Sequence, residues 1–374
     1  MKPTVKKKLK NILLVVDNYP PRRGGAELVY ERLAEGLRAD GLRVTVLTTG
    51  GPGLPATDRV NEVDIIRLGQ NRTWFILQAF YYLLRSRLKP DLIHTATYAA
   101  AIPAWLYAKL RRIPVVLTVH EVLGEVWFKG MNRWAAYAHY WFERLLLSLP
   151  FDTYIAVSAY TAKRLEAFGK PLRKIRVVEN GVDELKVSPT AATVRSRLGI
   201  PAEQFLFLYF GRLGISKGLL VLRDAARSLL PDQPDVHVAF VVAEAVHDEI
   251  YRELSAFQLT YPLQVSLFSA LDKQTLVDLI SAADCVVMPS YSEGFGLSAI
   301  EASLLKRPVV ASDGGALRDH LWGKVNFFPA GDAAALANAM QLARRGELTT
   351  IRKKHDFTWE KMISGYRAVY QEQT

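Results

Sequence analysis

The chain has 374 residues, of which 50% are hydrophobic and 23% charged, and its formal net charge is +11. That length suits two domains better than one core, and the composition is that of a globular protein, not of a disordered or fibrous one. The single cysteine, Cys285, excludes a disulfide framework and any cysteine-rich metal site, and it suits a reducing cytoplasm.

The first ten residues are basic and Ile12–Val16 is apolar, but Asp17 ends that run too early for a signal-peptide core. Strand-like runs follow at Val44–Leu47, Asp64–Leu68, Asp91–His94, Pro114–His120, Tyr154–Ser158 and Ile175–Glu179, with amphipathic helical stretches between most of them. Continuous apolar strands alternating with helices predict a parallel sheet covered on both faces. The uncharged stretch Thr95–Ala108 contains Pro103 and is shorter than the roughly 18 residues of a spanning helix, so no segment is expected to cross a membrane. Asp183 to Thr193 reads as a linker. The pattern then restarts, with runs at Phe205–Phe210, Val236–Val242, Leu263–Phe268, Cys285–Met288, Pro308–Ala311 and Asn326–Phe328. Thr358 to Gln373 closes the chain as a helix, with Trp359, Met362, Tyr366 and Tyr370 at helical spacing.

Ligands of open α/β sheets bind outside the carboxyl ends of the strands, so the motifs there carry the functional reading. After the first strand, Gly24 and Gly25 precede a helix start, where backbone amides can approach a phosphate or a sugar hydroxyl. The pattern is not G-x-G-x-x-G, which disfavours a dinucleotide cofactor. In the second half, Phe205–Phe210 runs into Gly211-Arg212-Leu213-Gly214-Ile215-Ser216-Lys217-Gly218. Arg212 and Lys217 flank that loop as a forked donor and a point charge, which suits a pyrophosphate. The spacing is not that of a Walker A loop. Next comes Glu293-Gly294-Phe295-Gly296-Leu297, with Glu301 eight residues after Glu293 and two turns into the following helix. One carboxylate can reach the hydroxyls of a sugar and the other those of a ribose, while the amides of Gly294 to Leu297 can face a phosphate.

These motifs, with Thr118-Val119-His120-Glu121, Glu179-Asn180-Gly181-Val182-Asp183 and Phe357-Thr358-Trp359-Glu360, resemble glycosyltransferase family 4 over nearly the whole chain. The resemblance implies the GT-B fold, in which two Rossmann-like α/β/α domains face each other across a deep cleft and the C-terminal helix crosses back to the N-terminal domain. Expected boundaries are residues 1–184 with 357–374 for the acceptor-binding domain and 185–356 for the nucleotide-sugar-binding domain. It implies a retaining transfer that needs neither metal nor cofactor, from a UDP- or GDP-sugar to a glycan or lipid-linked acceptor, in cell-envelope polysaccharide or glycolipid biosynthesis. Glu293 then contacts the donor sugar, Glu301 the ribose, Arg212 and Lys217 the diphosphate, and the Gly24 and Gly25 amides close over it. A lone strand-end histidine reads first as one capped by backbone; the resemblance instead turns His120 towards sugar and acceptor.

Two loops depart from the family pattern, Val242 to His247 and the one at Ser269, and both bear on donor choice. Residues 1–180 hold 28 Lys and Arg against 15 Asp and Glu, a net of +13, while the remainder is net −2. Aromatic clusters accompany the positive charge. One runs from Trp74 to Tyr82, and the other contains Trp127, Phe128 and Trp134 and borders the acceptor side. Half of these residues read as ordinary packing. The rest suit an anionic membrane surface, which places the protein in the cytoplasm or peripherally on the inner membrane face. Competing readings are a GT-B epimerase, a non-catalytic sugar-nucleotide-binding module and, from charge alone, a nucleic-acid-binding protein, although no nucleic-acid-binding signature is present.

Overall fold

The computed structural model describes residues 9–22, 24–69, 72–243, 248–269 and 271–373. The chain forms two compact units, residues 1–124, 137–181 and 357–374 in one and 125–136 and 182–356 in the other. Relative to the expected boundaries, the chain passes between units at Gly181/Val182, and the short stretch 125–136 joins the second unit.

Among the described residues, the first unit is built on eight strands: β1 (Asn11–Val15), β2 (Arg43–Thr49), β3 (Thr57–Val60), β4 (Val63–Leu68), β5 (Leu92–Ala96), β6 (Val115–Val119), β7 (Thr153–Ala156) and β8 (Ile175–Val177). Their order is β3-β4-β2-β1-β5-β6-β7-β8. All pairs are parallel except β3 with β4. The register places Leu14 between Val46 of β2 and His94 of β5. Side chains alternate across the sheet: Leu13 and Val15 enter the core on one face, and Ile12, Leu14 and Val16 that on the other. Two buried faces are why the central strands read as largely apolar runs.

The second unit repeats the plan with β9 (Phe205–Arg212), β10 (Val236–Ala243), β11 (Val265–Ser269), β12 (Cys285–Met288), β13 (Val309–Ser312), β14 (Gly323–Phe328) and β15 (Thr349–Ile351). Their order is β11-β10-β9-β12-β13-β14-β15, parallel except for β15. Phe207 and Tyr209 face one core, Leu206, Leu208 and Phe210 the other.

β3 and β15 are the strands that the apolar pattern does not reveal. Both are short antiparallel edge strands with mostly exposed side chains, so burial imposes no apolar run on them.

The helix Trp359–Gln371 belongs to the first unit. Thr358 caps it, its side chain accepting from the Lys361 amide at 3.3 Å. It buries Met362, Tyr366, Val369 and Tyr370 in the core that holds Tyr30, Leu33 and Val116. Each such side chain contributes roughly 1.5–3 kcal/mol by leaving water. The helix lies against Gly25–Ala39 so closely that a Cβ on Gly36 would sit 2.4 Å from Ile363.

Candidate active site

Both sheets reverse their strand order once, and the motifs gather at those reversals. In the second sheet β9 and β12 are neighbours whose onward connections run in opposite directions. The crevice at the carboxyl ends of such a pair is where open sheets hold ligands. The loop Leu213–Gly218 leaves β9 there, and the loop Pro289–Gly296 leaves β12 beside it.

Two glycines allow these loops to touch. Gly218 has φ 63°, and a Cβ on it would lie 1.9 Å from the Pro289 carbonyl oxygen. Gly315, after β13, has φ 92°, and its Cβ would lie 2.2 Å from the Glu293 carbonyl oxygen. Only glycine combines that backbone with that proximity. Backbone bonds complete the lacing: the Tyr291 amide donates to Ser216 O at 2.7 Å, and the Ala316 amide to Glu293 O at 2.8 Å.

Lys217 Nζ is thereby held 2.8 Å from Glu293 Oε1. The same oxygen accepts the Ser290 hydroxyl at 2.8 Å. Both charged side chains are largely shielded, with 23% of Lys217 and 13% of Glu293 exposed. Arg212 ends β9 with an exposed side chain, and its carbonyl accepts the Tyr209 hydroxyl at 3.1 Å. Burial pushes the Tyr209 phenol well up, and the Glu293 charge adds to it, so the phenol stays a neutral donor.

Gly296 has φ 88° and caps the helix Leu297–Leu304, with no side chain capping that end. The glycine run delays the helix, so Glu301 stands just over one turn into it, not two. Phe295 is fixed from behind by His320, whose Nδ1 lies 2.8 Å from Phe295 O. Glu301 projects from the helix Leu297–Leu304. Burial raises its carboxyl to about 7, with Lys273 opposing and Asp183 reinforcing the shift. Lys273 Nζ itself pairs with Asp183 Oδ2 at 2.5 Å.

In the first sheet the reversal falls at β1 and β5. The Asp17 carboxylate, just past β1, accepts the amides of Ala99 at 3.3 Å and Ala100 at 2.6 Å, tying the two strand ends together. Gly24 is the N-cap of Gly25–Ala39, and no side chain caps that end. Arg22 holds the loop in place, donating to Asn18 Oδ1 at 2.7 Å, Thr49 Oγ1 at 3.1 Å and Gly50 O at 2.8 Å. His120 follows β6, with Nε2 3.0 Å from the Tyr30 hydroxyl. The loop beyond it is organised by Glu143, which is buried and accepts the Leu123 amide at 2.9 Å, the Gly124 amide at 2.7 Å and the Tyr98 hydroxyl at 2.9 Å.

Trp127 and Phe128 lie in the short 3-10 segment Gly124–Lys129, the first half-buried and the second 39% exposed. Trp134 begins the next helix, Arg133–Ser148, and is 85% exposed. All three belong to the stretch that joins the second unit, where a Cβ on Gly130 would lie 3.0 Å from Ile215 of the Lys217 loop. The departure from pattern at Glu244 to His247 lies outside the described residues. Ser269 ends β11 with an exposed side chain.

Sequence reasoning missed Ser290, Tyr30 and Glu143. A serine three residues before a site glutamate was a visible signal for the first. Tyr30 and Glu143 lie on helices distant in sequence from what they hold, and no local pattern marks them.

Two doubly wound sheets, each with its loops gathered at a strand reversal, make the plan of the GT-B fold. Residues 23–184 match the family described as Glycosyltransferase Family 4, and residues 191–357 match Glycosyl transferases group 1. The chain belongs to this family of glycosyltransferases. A glycogen synthase of Mycobacterium tuberculosis is 28% identical over 96% of this chain and 94% of the relative. A D-inositol 3-phosphate glycosyltransferase of Corynebacterium efficiens is 27% identical over 78% of this chain and 73% of the relative. In fold, the chain is similar to sucrose-phosphate synthase from Thermosynechococcus elongatus, with a TM-score of 0.79 at 24% identity, covering 97% of this chain and 98% of that one. It is also similar to HepE of Anabaena, solved with UDP and glucose, with a TM-score of 0.75 at 21% identity, covering 98% and 100%.

Proposed function

We propose that this glycosyltransferase takes its sugar from a UDP- or GDP-sugar, transfers it with retention of anomeric configuration and needs no metal ion. The observation that carries the reading is the Lys217–Glu293 pair, held by glycine-laced loops at a strand reversal. A diphosphate leaving group develops negative charge as its bond to the sugar breaks. Lys217 and the exposed Arg212 supply compensating charge of the kind that stabilises such a transition state. A diphosphate at Lys217 competes for the ammonium that now pairs with Glu293, leaving the carboxylate to accept sugar hydroxyls. The amides of Gly294 to Leu297 supply further donors at a helix start.

Glu301 serves the ribose, its half-buried carboxyl able to meet a diol within the helix Leu297–Leu304. Gly24, Gly25 and His120, at strand ends of the first sheet, serve the phosphates, the sugar and the acceptor. In a retaining transfer of this kind a leaving phosphate oxygen removes the acceptor proton on the face of departure. The acceptor hydroxyl oxygen bonds to the anomeric carbon as the sugar–phosphate bond breaks, and the proton leaves with the nucleoside diphosphate. That HepE was solved with UDP-glucose supports a uridine donor for such a fold.

A glycan or lipid-linked acceptor at an anionic membrane surface, in cell-envelope synthesis, completes the reading. It is supported by outward apolar rows on two helices of the basic half. Arg72–Arg85 exposes Trp74, Leu77 and Tyr81, and Arg133–Ser148 exposes Trp134, Trp141 and Leu145. Arginines stack on these rows, Arg85 4.4 Å from the Tyr81 ring and Arg144 5.8 Å from that of Trp141.

A thermal-shift screen of UDP-, GDP- and ADP-sugars in excess EDTA tests the reading, because a ligand that binds the native state raises its melting temperature. Stabilisation by one nucleotide series, followed by transfer with retention seen by NMR of the product, is expected. Stabilisation or transfer that requires an added divalent ion overturns metal independence, and an inverted product overturns retention.

A further inference from the structure

Behind His120 lies a chain of polar groups inside an otherwise apolar core. Tyr30, Thr118, His94, Tyr366 and Tyr370 are all buried. The Tyr30 hydroxyl is 3.0 Å from His120 Nε2, and the Tyr30 ring packs against that of His94, with centroids 5.7 Å apart. Thr118 Oγ1 is 2.7 Å from His94 Nε2 and 3.2 Å from the Tyr366 hydroxyl. His94 Nδ1 is 2.7 Å from the Tyr370 hydroxyl. The rings pack as well as bond, with the Tyr30 and His120 centroids 5.4 Å apart and edge-on.

We propose that Tyr30 is a positioning residue for His120, and that the C-terminal helix sets Tyr30 through His94, which Tyr370 and the Thr118–Tyr366 pair hold in place. This inference rests on the reading of His120 as a site residue.

A buried hydroxyl or imidazole nitrogen without a partner is costly, so these groups hold one another's rotamers. Burial also drives the His94 imidazole down to about 3 and the three phenols upward, so every interior member stays uncharged. A neutral imidazole donates from one nitrogen and accepts at the other. His94 therefore meets Thr118 and Tyr370 with one donor and one acceptor, which holds the ring that Tyr30 packs against. Finally, helix Trp359–Gln371 cannot slide without breaking the array. A Cβ on Gly36 would meet Ile363 at 2.4 Å, and one on Gly181 would meet the Trp359 ring at 2.5 Å. The position of the last helix is thus expressed at a strand-end histidine through His94 and Tyr30.

The test uses the full chain labelled with 15N-histidine, with the His120 ring signals assigned from their loss in His120→Gln. Tyr30→Phe keeps the ring and removes the hydroxyl. The His120 Nε2 resonance is expected to move in Tyr30→Phe and, by less, in Tyr366→Phe. Tyr154→Phe is the control for general loosening, because it removes a phenol that bonds Leu149 O on the other face of the same sheet, and it is expected to leave His120 unmoved. Coincident His120 signals in Tyr30→Phe and the unaltered chain overturn the proposal, as does an equal movement in Tyr154→Phe.

With UDP-glucose as donor, Tyr30→Phe is expected to lower kcat about tenfold with KM nearly unchanged, as befits a misplaced group. A rise in KM alone counts against positioning. Absence of any transfer by the unaltered chain counts against the donor reading and leaves the spectroscopic result to decide the coupling.

Discussion

Lys217 Nζ and Ser290 Oγ both lie 2.8 Å from the same oxygen of Glu293, so one carboxylate oxygen joins two loops from neighbouring strands. In Lys217→Ala and Glu293→Ala, transfer is expected to fall by about two to three orders of magnitude, as for other lost transition-state contacts. The pair is largely shielded, so each variant also strands the partner charge, and the melting temperature should fall by several degrees. Rates within threefold of the unaltered enzyme in either variant refute the assignment.

Glu301 makes stability depend on pH. Burial raises its carboxyl from 4.5 to about 7, so between those values the folded chain keeps a proton that the unfolded chain has released. Its contribution is fully present below the unfolded value and is lost as pH rises through the folded one. Linkage bounds the change at about 3 kcal/mol. Urea titrations from pH 4.5 to 8 should show the slope in the unaltered chain and its loss in Glu301→Gln. An identical slope in both places the titrating group elsewhere.

Gly315 supports Glu293 from beneath. Gly315→Ala combines a left-handed backbone with a collision against the Glu293 main chain, and should cost more than about 3 kcal/mol. Gly346→Ala is the matched comparison. Its φ is 78° but no atom lies within 4 Å of the added methyl, so the cost should be about 1 kcal/mol. Equal denaturation midpoints for the two variants argue against the close packing of these loops.

Glu143 accepts two hydrogen bonds from the loop after His120 and a third from the Tyr98 hydroxyl. Glu143→Ala leaves buried donors without an acceptor and is expected to destabilise the chain by roughly 3 kcal/mol. Amide exchange should quicken at Leu123 and Gly124 first; unchanged protection there contradicts the role.

If the exposed aromatic rows meet a membrane, Trp74→Glu with Trp141→Glu should weaken sedimentation with anionic vesicles at least tenfold, and rising salt should weaken it in the unaltered chain. Neutral vesicles are the comparison. Binding that ignores charge, salt and both substitutions removes the support for this surface.

The two-unit α/β plan was legible because most buried strands are largely apolar, as in Asn11–Val15, Val115–Val119 and Cys285–Met288. The site was legible wherever function is local in sequence. Glu293, Gly294 and Gly296 share one loop, and Arg212 and Lys217 another. What escaped was non-local or solvated. β3 and β15 carry no apolar signature because their side chains meet water. Glu143 and Tyr30 act on loops that lie near them only after folding. The start of the Glu301 helix was misplaced because Gly296 takes a left-handed conformation, which composition permits but does not demand.

The return of the last helix to the first unit bears on biosynthesis. Tyr30, Leu33 and Val116 are made early, but part of their covering is Met362, Tyr366 and Tyr370, which leave the ribosome only after the whole second unit. The nascent first sheet must wait with one face incompletely covered, a state that attracts chaperones and proteases. Premature termination anywhere in the second unit would therefore also leave the first unit unfinished, so partial chains should be degraded instead of accumulating as binding-competent fragments.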